Sequence, residues 1–348
     1  MYIIGINAFH GDSSACILKN GYLIAAAEEE RFKRIKHYAG FPYEAIKYCL
    51  EEAEISINEV DHIAINTNPK TNYFKKVLYT LKNKPNFKLL LDRLKNKKAK
   101  SNIENDLKKK FKVTKVNAKI HYIEHHMAHL ASAHLASSFK NSITVSVDGF
   151  GDFSSSAWGI GKGNKIKINK QIFFPHSLGI FYQAMTQFLG FPNYGDEYKV
   201  MGLAPYGNPT YMREMHEILY TKKNGEYSLN LDLFKHHNEK ISYEWRDGSP
   251  KVGQLFNSKM EKIFKIPSRK KNTSLSQNYL DIARSTQAMY EKAFFNLLNA
   301  VYKKHKITNL TLSGGCAMNS VANGKIFQNS PFKKIYIPAA AGDAGGAI

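Results

Sequence analysis

Two histidines four residues apart carry the strongest chemical signal in the chain. His125 and His129 lie in EHHMAHLASAHLA, a segment whose alanine content favours a helix. A spacing of four residues puts both imidazoles on one helical face, with Cβ atoms about 6 Å apart, which suits a shared metal ion. Simple packing of two histidines in a core would produce the same spacing.

A third ligand has to come from elsewhere, and Asp343 is the best candidate. It follows Gly342 just past a predicted strand, where loop carboxylates often point into a cleft. Two imidazoles and one carboxylate leave positions open for a substrate, a pattern that favours Fe(II) or a similar divalent ion. His126 and His134 lie off this face and are interpreted as supporting or surface residues.

Polar residues after two predicted strands are candidates for proton transfer and charge stabilisation. His10 and Asp12 follow the first strand, so one could deprotonate a hydroxyl while the other orients it. Loop capping by Asp12 with an exposed His10 is the alternative. Asp148, in VDGFGD, occupies the equivalent position of a second strand and could bind metal-associated water or the amides of a phosphate loop.

The segment LTLSGGCAMNS predicts a strand, a turn and a helix start. Gly314 and Gly315 would let the backbone approach a nucleotide, whose phosphate the helix N-terminus favours, although a tight turn explains them equally well. Cys316 is expected to be a small packed residue. Lys36, in the charge run EEERFKRIKH, and Lys199, in GDEYKVMGLAPYG, could contact an anionic ligand; such charge runs are more often solvated helix.

The elements that must position these residues occur in the same order in two parts of the chain. Residues 2–29 predict a strand, a polar loop, a second strand, an Asn20-Gly21 turn and a third strand. Residues 143–173 repeat this plan, with Asp148 at the end of the first strand and a glycine-rich hairpin at 161–163. The duplication predicts an α/β fold with two lobes, 1–140 and 141–348, facing each other across a cleft.

The segments between the repeats predict further elements. Helices are expected at 40–54, in the Ala-rich segment after 124, at 177–191 and from Ser276 onward, with a loop at 192–209. The long helix shows an apolar stripe at Leu280, Ala283, Tyr290, Phe294, Leu297 and Val301. Residues 208–275 carry no clear pattern.

Composition narrows the class of protein. The 348 residues are 43% hydrophobic and 23% charged, as in a soluble globular protein. No apolar run reaches the about 18 residues needed to span a membrane, and the first residues read as a strand rather than a signal peptide. Three cysteines make a disulfide framework improbable, which together with these features predicts a cytoplasmic protein.

The charge is unevenly distributed. The chain has a net charge of +21, and residues 70–119 alone hold 17 Lys/Arg against 3 Asp/Glu, with apolar residues at helical spacing. This basic helical insert could bind a phosphate-rich partner such as nucleic acid. The excess of lysine over arginine favours a solvated helical face instead, because specific phosphate recognition more often uses arginine forks.

Seven motifs in order give the chain a resemblance to a known family. GINAFHGDSSACIL, EEERFKRIKH, EHHMAHLASAH, VDGFGD, GDEYKVMGLAPYG, SGGCAMNS and AGDAGGAI together resemble the NodU/CmcH-type O-carbamoyltransferases. The resemblance implies an actin/sugar-kinase/Hsp70-like (ASKHA) fold and a metal on His125, His129 and Asp343. It also implies a following YrdC-like domain that makes carbamoyl adenylate from carbamoyl phosphate and ATP. The sequence stops before such a domain would begin. Because it stops in the Gly/Ala-rich start of a predicted helix, we expect it to be a fragment.

The resemblance therefore implies a carbamoyltransferase, a transferase of one-carbon groups, that acts on a hydroxyl of a sugar or other small acceptor. Carbamoyl adenylate would bind with its nucleotide near Gly314, Gly315, Asn319, Gly342 and Asp148, with Lys36 and Lys199 near phosphate and His10 and Asp12 assisting the acceptor. A tRNA threonylcarbamoyl-type transferase, or another carbamoyltransferase that modifies nucleic acid, is the alternative enzyme. A non-catalytic nucleotide- or metal-binding module is the alternative from another class.

Overall fold

The first five strands form one mixed sheet. The computed structural model describes residues 1–83, 103–239, 243–244 and 248–348. The strands are β1 (Tyr2–Asn7), β2 (Ser14–Lys19), β3 (Tyr22–Glu28), β4 (His62–Ile65) and β5 (Lys119–Tyr122), in the spatial order β3-β2-β1-β4-β5. Strands β1, β2 and β3 pair antiparallel, whereas β1, β4 and β5 run parallel.

The helices around this sheet complete the first half of the chain. They are α1 (Glu30–Lys33), α2 (Tyr43–Glu52), α3 (Tyr73–Asn83), α4 (Ile103–Phe111) and α5 (His125–His134). The predicted basic insert is helical where α3 and α4 cover it, and its residues 84–102 lie outside the described ranges. The charge run at 28–37 forms only the single turn α1, which ends where Arg34 adopts the left-handed conformation with φ 57°. Glu29, just before α1, is buried and accepts hydrogen bonds from the backbone N–H groups of Glu44 and Ala45.

A second sheet repeats the first. Strands β6 (Asn141–Gly151), β7 (Ser154–Lys162) and β8 (Lys165–Phe173) form an antiparallel meander beside later strands that we number β13 (Asn309–Ser313) and β14 (Lys334–Tyr336). Between them lie the short strands β9 (Leu219–Thr221), β10 (Tyr227–Leu229), β11 (Tyr243–Glu244) and β12 (Lys251–Val252). The order β14-β13-β6-β7-β8 and the strand directions match the first sheet, as the duplication predicted.

The remaining helices surround the second sheet. They are α6 (Leu178–Phe188), α7 (Glu197–Leu203), α8 (Met212–Ile218), α9 (Ser258–Phe264), α10 (Gln277–His305), α11 (Ser320–Asn323) and α12 (Ile326–Asn329). The helix predicted from Ser276 is α10, whose apolar stripe packs into the core. The loop predicted at 192–209 was wrong in part, because α7 begins after Asp196, whose carboxylate closes the preceding turn on the Asn193 amide. No helix within the described ranges is long and apolar enough to cross a membrane.

Each half of the chain sends its last element across to the other sheet. Helix α5 follows β5 of the first sheet but packs against β6, β7 and β13 of the second. The 3₁₀ turn Asp343–Ala347 follows β14 of the second sheet but packs against β1 and β2 of the first. Because α5 and this turn also pack against each other, residues from both halves meet at one point between the two hydrophobic cores.

Candidate active site between the two sheets

Four side chains converge where α5 meets the Asp343–Ala347 turn. Asp148 Oδ2 lies 3.0 Å from His125 Nε2 and 3.5 Å from His129 Nε2. Asp343 Oδ1 lies 3.5 Å from His125 Nε2 and 3.3 Å from His129 Nε2. The structure thus brings Asp343 to the histidine pair, and it adds Asp148, which the sequence reasoning had placed on the nucleotide side. We call His125, His129, Asp148 and Asp343 the four-residue cluster.

Local hydrogen bonds fix the helix that carries the two histidines. Glu124 caps α5 by accepting a hydrogen bond from the Met127 amide at 2.7 Å. Asp152 Oδ2 accepts hydrogen bonds from the His125 amide at 2.9 Å and from the Asn68 amide at 2.7 Å. Because Asn68 follows β4 and Asp152 follows β6, this carboxylate ties the first residue of α5 to both halves of the fold.

Gly151 leaves the space that the His125 ring occupies. A Cβ atom on Gly151 would lie 1.9 Å from His125 Cδ2, far inside contact distance. Gly151 is the last residue of β6, the strand that also carries Asp148. The strand therefore supplies one member of the cluster and the room for another.

The buried carboxylates favour positively charged histidines. Burial lowers the pKa of His129, but its contacts with Asp148 and Asp343 outweigh burial and raise it to about 10. The pKa of His125 is likewise raised, because Asp148 and Asp343 outweigh burial. Burial raises the pKa of Asp148 and Asp343, yet the two histidines hold both below their ordinary values. The cluster thus brings opposite charges together at a site where the imidazoles are about 1% exposed and the carboxylates 12%.

The donor atoms of the cluster fit a divalent cation. The two Nε2 atoms face each other at 3.1 Å although both rings are about 1% exposed, and Asp343 Oδ1 is buried without a hydrogen-bond partner. One donor atom from each of the four residues lies within 4.8 Å of the others. Two imidazole nitrogens and two carboxylate oxygens, without thiolate, form a ligand set that suits Fe(II), Mn(II) or Zn(II).

The other histidines of α5 are structural. His126 and His134 were expected off the metal face as supporting or surface residues, and both are fully buried. The His126 ring bonds Ser146 at 2.9 Å, and the His134 ring bonds Ser142 at 2.8 Å. Burial and the neighbouring His125 lower the pKa of His126 to about 3, so this imidazole stays neutral.

The glycine-rich turn after β13 lies directly against the cluster. Gly315 donates its amide hydrogen to Asp148 Oδ1 at 3.0 Å, and Gly342 approaches Gly315 from the facing turn. Gly314 has φ +86°, and a Cβ there would lie 2.3 Å from the Val147 carbonyl oxygen. The neighbouring strand therefore requires a glycine at 314 independently of any nucleotide.

Asn319 already has protein partners. Its side chain exchanges hydrogen bonds with Gln287 at 3.0 and 3.1 Å and caps α11 by accepting from the Ala322 amide at 3.0 Å. These contacts give Asn319 a structural role, which the sequence motif alone did not indicate.

His10 and Asp12 each contact a different partner. His10 Nδ1 lies 3.6 Å from Asp343 Oδ2, which puts His10 at the edge of the four-residue cluster. Asp12 Oδ1 lies 2.7 Å from Nδ1 of His37. The sequence reasoning missed His37, whose only signal was its position at the end of the charge run.

Lys36 and Lys199 line one cavity of about 300 Å³. Lys199 Nζ forms an ion pair with Asp196 at 2.6 Å, and Lys36 Nζ lies 5.5 Å from the centre of the Tyr198 ring. Two further ionisable residues close to this region were not found from the sequence. Burial raises the pKa of Glu197 to about 7, and burial with the nearby Asp12 and Asp343 carboxylates raises the pKa of Tyr194 well above its usual value.

All three thiols are free, as the cysteine count predicted. Burial raises the pKa of Cys16 and of Cys49 to about 12. Burial also raises the pKa of Cys316, whose carbonyl accepts the Tyr290 hydroxyl at 3.0 Å. These environments are typical of packed cysteines rather than nucleophiles.

Two matching five-stranded sheets give the chain the actin/sugar-kinase/Hsp70-like fold. Component A of the (R)-2-hydroxyglutaryl-CoA dehydratase of Acidaminococcus fermentans has this fold, with a TM-score of 0.52, 11% identity, and coverage of 100% of this chain and 95% of that chain. Within this class the chain belongs to the carbamoyltransferase family, because the family model "Carbamoyltransferase N-terminus" matches residues 2–348.

Curated relatives support the same assignment. The nodulation protein NolNO of Sinorhizobium fredii is 32% identical over 344 residues, which are 98% of this chain and 46% of that protein. An uncharacterized protein of Synechocystis is 37% identical over an alignment of 367 positions, which covers 100% of this chain and 56% of that protein. The chain thus spans about half the length of these relatives.

Proposed function

We propose that this chain transfers a carbamoyl group from carbamoyl adenylate to a hydroxyl group of an acceptor molecule. Membership of the carbamoyltransferase family supports the group transferred. The observation that carries the proposal is the four-residue cluster, which lies beside the facing turns of Gly315 and Gly342. Donors and acceptors fixed in a closed site can stabilise charge that develops during transfer.

The four-residue cluster would hold a divalent cation, for which Fe(II) remains our preferred candidate. Such an ion supplies Lewis acidity toward a carbonyl or phosphate oxygen when it is bound. The protein groups have their own tasks: Asp148 anchors the Gly315 turn, and His10 borders Asp343. Gly314, Gly315 and Gly342 offer a nucleotide close backbone contact, whereas the partners of Asn319 make it a support for this turn.

A YrdC-like domain, in the missing half of the relatives' length or in a separate protein, would make carbamoyl adenylate from carbamoyl phosphate and ATP. This chain would then perform the second half-reaction. The acceptor oxygen forms a bond to the carbamoyl carbon, the bond from that carbon to the phosphate oxygen breaks, and AMP leaves. We propose that the reaction takes place in the cytoplasm.

The test supplies the chain with Fe(II), labelled carbamoyl phosphate, ATP and a YrdC-like domain, and follows label transfer to a library of hydroxyl compounds. Asp148→Asn and His129→Ala should each reduce transfer at least about 100-fold, because both remove a cluster ligand. His216→Gln, at an exposed histidine of α8, is the control and should leave transfer unchanged. Nucleotide binding without any carbamoyl transfer or hydrolysis would refute the proposal in favour of a binding module.

A further inference from the structure

A cavity of about 300 Å³ opens beside the four-residue cluster. The first half of the chain contributes Lys36 and His37 to its wall, and the second half contributes Tyr194, Tyr198, Lys199 and Ser249. This volume is at the lower end of the about 300–1,000 Å³ typical of small-molecule sites. The cavity can therefore take one compact molecule such as a sugar derivative.

Tyr194 lines this cavity and also contacts the loop that carries His10 and Asp12. The Tyr194 hydroxyl lies against Gly11, which directly follows His10. A Cβ on Gly11 would be 2.8 Å from this hydroxyl oxygen. On the cavity side the Tyr194 ring meets the His37 ring edge-on, with centroids 5.4 Å apart. The charges of Asp12, Asp343 and Asp148 all act on the Tyr194 hydroxyl. The cavity and the cluster are thus close neighbours.

Asp12 and Glu30, both half-buried, orient His37 in the cavity wall. Asp12 Oδ1 lies 2.7 Å from His37 Nδ1, and Glu30 Oε2 accepts the His37 amide at 2.8 Å. Because a carboxylate only accepts hydrogen bonds, Nδ1 carries a proton, and in the neutral ring Nε2 is the basic nitrogen. The hydrogen bond to Asp12 raises the pKa of His37 and so strengthens this base. Gly195 packs against this ring, since a Cβ there would lie 2.1 Å from Nε2, and the His37 side chain stays 23% exposed in the cavity wall. A carboxylate that fixes the imidazole of a base is a recurrent catalytic arrangement.

The charges of the cavity favour a negatively charged guest. Among the charged side chains that line the cavity, Lys199 is neutralised by Asp196 at 2.6 Å. Lys36 forms no ion pair with a described residue, and its ammonium group instead lies over the Tyr198 ring at 5.5 Å. Among the described lining residues, Lys36 is thus an uncompensated cation beside two tyrosine rings, which suits a hydroxyl compound with one anionic group.

Building on the proposed function, we infer that this cavity binds the acceptor, that His37 is its general base, and that Lys36 selects a sugar acid or sugar phosphate. The acceptor O–H proton moves to His37 Nε2. The oxygen then bonds to the carbamoyl carbon as AMP departs, so the step needs no further reactant. This assignment gives Asp12 the orienting role and leaves His10 as a neighbour of Asp343.

The experiment compares matched acceptors in the coupled reaction, with glucose, gluconate and glucose 6-phosphate as one set and galactose, galactonate and galactose 6-phosphate as another. The wild-type chain should carbamoylate at least one anionic member of a set at least tenfold more efficiently than its neutral counterpart. Transfer to gluconate or galactonate alone identifies a carboxylate site, and transfer to the phosphates alone a phosphate site. Transfer only to neutral members, or to no anionic member, would overturn the inference.

Variants separate binding from catalysis. His37→Gln should lower kcat about 100-fold with little change in KM, as loss of a general base does. Lys36→Ala should raise KM for the anionic acceptor about tenfold and leave kcat intact. Lys47→Gln is the control, since Lys47 is a 52% exposed cation of α2 outside the cavity lining, and it should change neither constant.

The failure of this inference is distinguishable from failure of the proposed function. Release of AMP by slow hydrolysis of carbamoyl adenylate, measured without acceptor in the wild-type chain, reports the four-residue cluster and should also be seen in the Lys47→Gln control. If the wild-type chain hydrolyses carbamoyl adenylate and His37→Gln transfers the carbamoyl group with the wild-type kcat, only the base assignment is refuted. Absence of both hydrolysis and transfer in the wild-type chain would refute the proposed function itself.

Discussion

Replacing Gly151 with alanine should displace His125 and disable the four-residue cluster. The new Cβ would lie 1.9 Å from Cδ2 and 2.1 Å from Cγ of the His125 ring. Non-bonded carbons need about 3.5 Å, so the ring has to retreat by about 1.6 Å. Metal–ligand distances tolerate changes of only about 0.2 Å, and the ring is buried on all sides. His125 would therefore no longer reach a shared ion with His129.

Gly151→Ala should change both the free energy of unfolding and the metal affinity. Overpacking of a buried site costs about 1–3 kcal/mol, which urea unfolding of the metal-free protein would detect. Loss of one ligand should weaken Fe(II) or Zn(II) binding by more than the about 10–100-fold that loss of a supporting contact causes, as measured by competition with a chromophoric chelator.

Gly149 provides a matched control on the same strand. A Cβ at Gly149 meets no atom within 4 Å, so Gly149→Ala should stay within about 0.5 kcal/mol of the wild type and keep its metal affinity. If Gly151→Ala unfolds more easily but binds metal as the wild type does, His125 is not a ligand. If it changes neither property, the packing of His125 against Gly151 is wrong.

Three further outcomes test other parts of the structure. The pKa of Glu197 is raised from 4.5 to about 7, so its ionisation should destabilise the folded state by about 3 kcal/mol as pH rises from 4.5 to 8. The Glu197→Gln variant should lack this loss when unfolding is measured against pH. A profile identical to that of the wild type would contradict the raised pKa. Asp152→Ala leaves the His125 amide without its acceptor and should lower the free energy of unfolding by about 3 kcal/mol, whereas a change below about 0.5 kcal/mol in urea unfolding would exclude a bridging role. Cys16 and Cys49 should resist iodoacetamide at pH 8 until the protein unfolds, and rapid labelling detected by mass spectrometry would show that they are not buried.

Local sequence patterns predicted the features that depend on neighbouring residues. The Asn20-Gly21 pair forms the expected hairpin turn, with φ of 53° and 86°. The four-residue spacing of His125 and His129 puts both rings on one face, because a helix repeats every 3.6 residues. The motif after the first strand also marked Asp12, and the position after a later predicted strand marked Asp343, which the family resemblance implied as well.

Contacts between distant segments were accessible only in the folded chain. Asp148 joins the four-residue cluster because β6 ends beneath α5, and His37 reaches Asp12 because the charge run turns back after a single helical turn. Asn319 resembled a ligand contact in its motif but is occupied by Gln287 from α10. Each of these partners is fixed by how helices and turns pack across the two sheets, and no periodicity within one segment encodes that packing.

The sequence by itself therefore determined which side chains could do chemistry and how each hairpin and helix presents them. The crossing of α5 and the Asp343–Ala347 turn decided which of them meet, since burying the apolar faces of both sheets brings residues more than 200 positions apart within 3.5 Å.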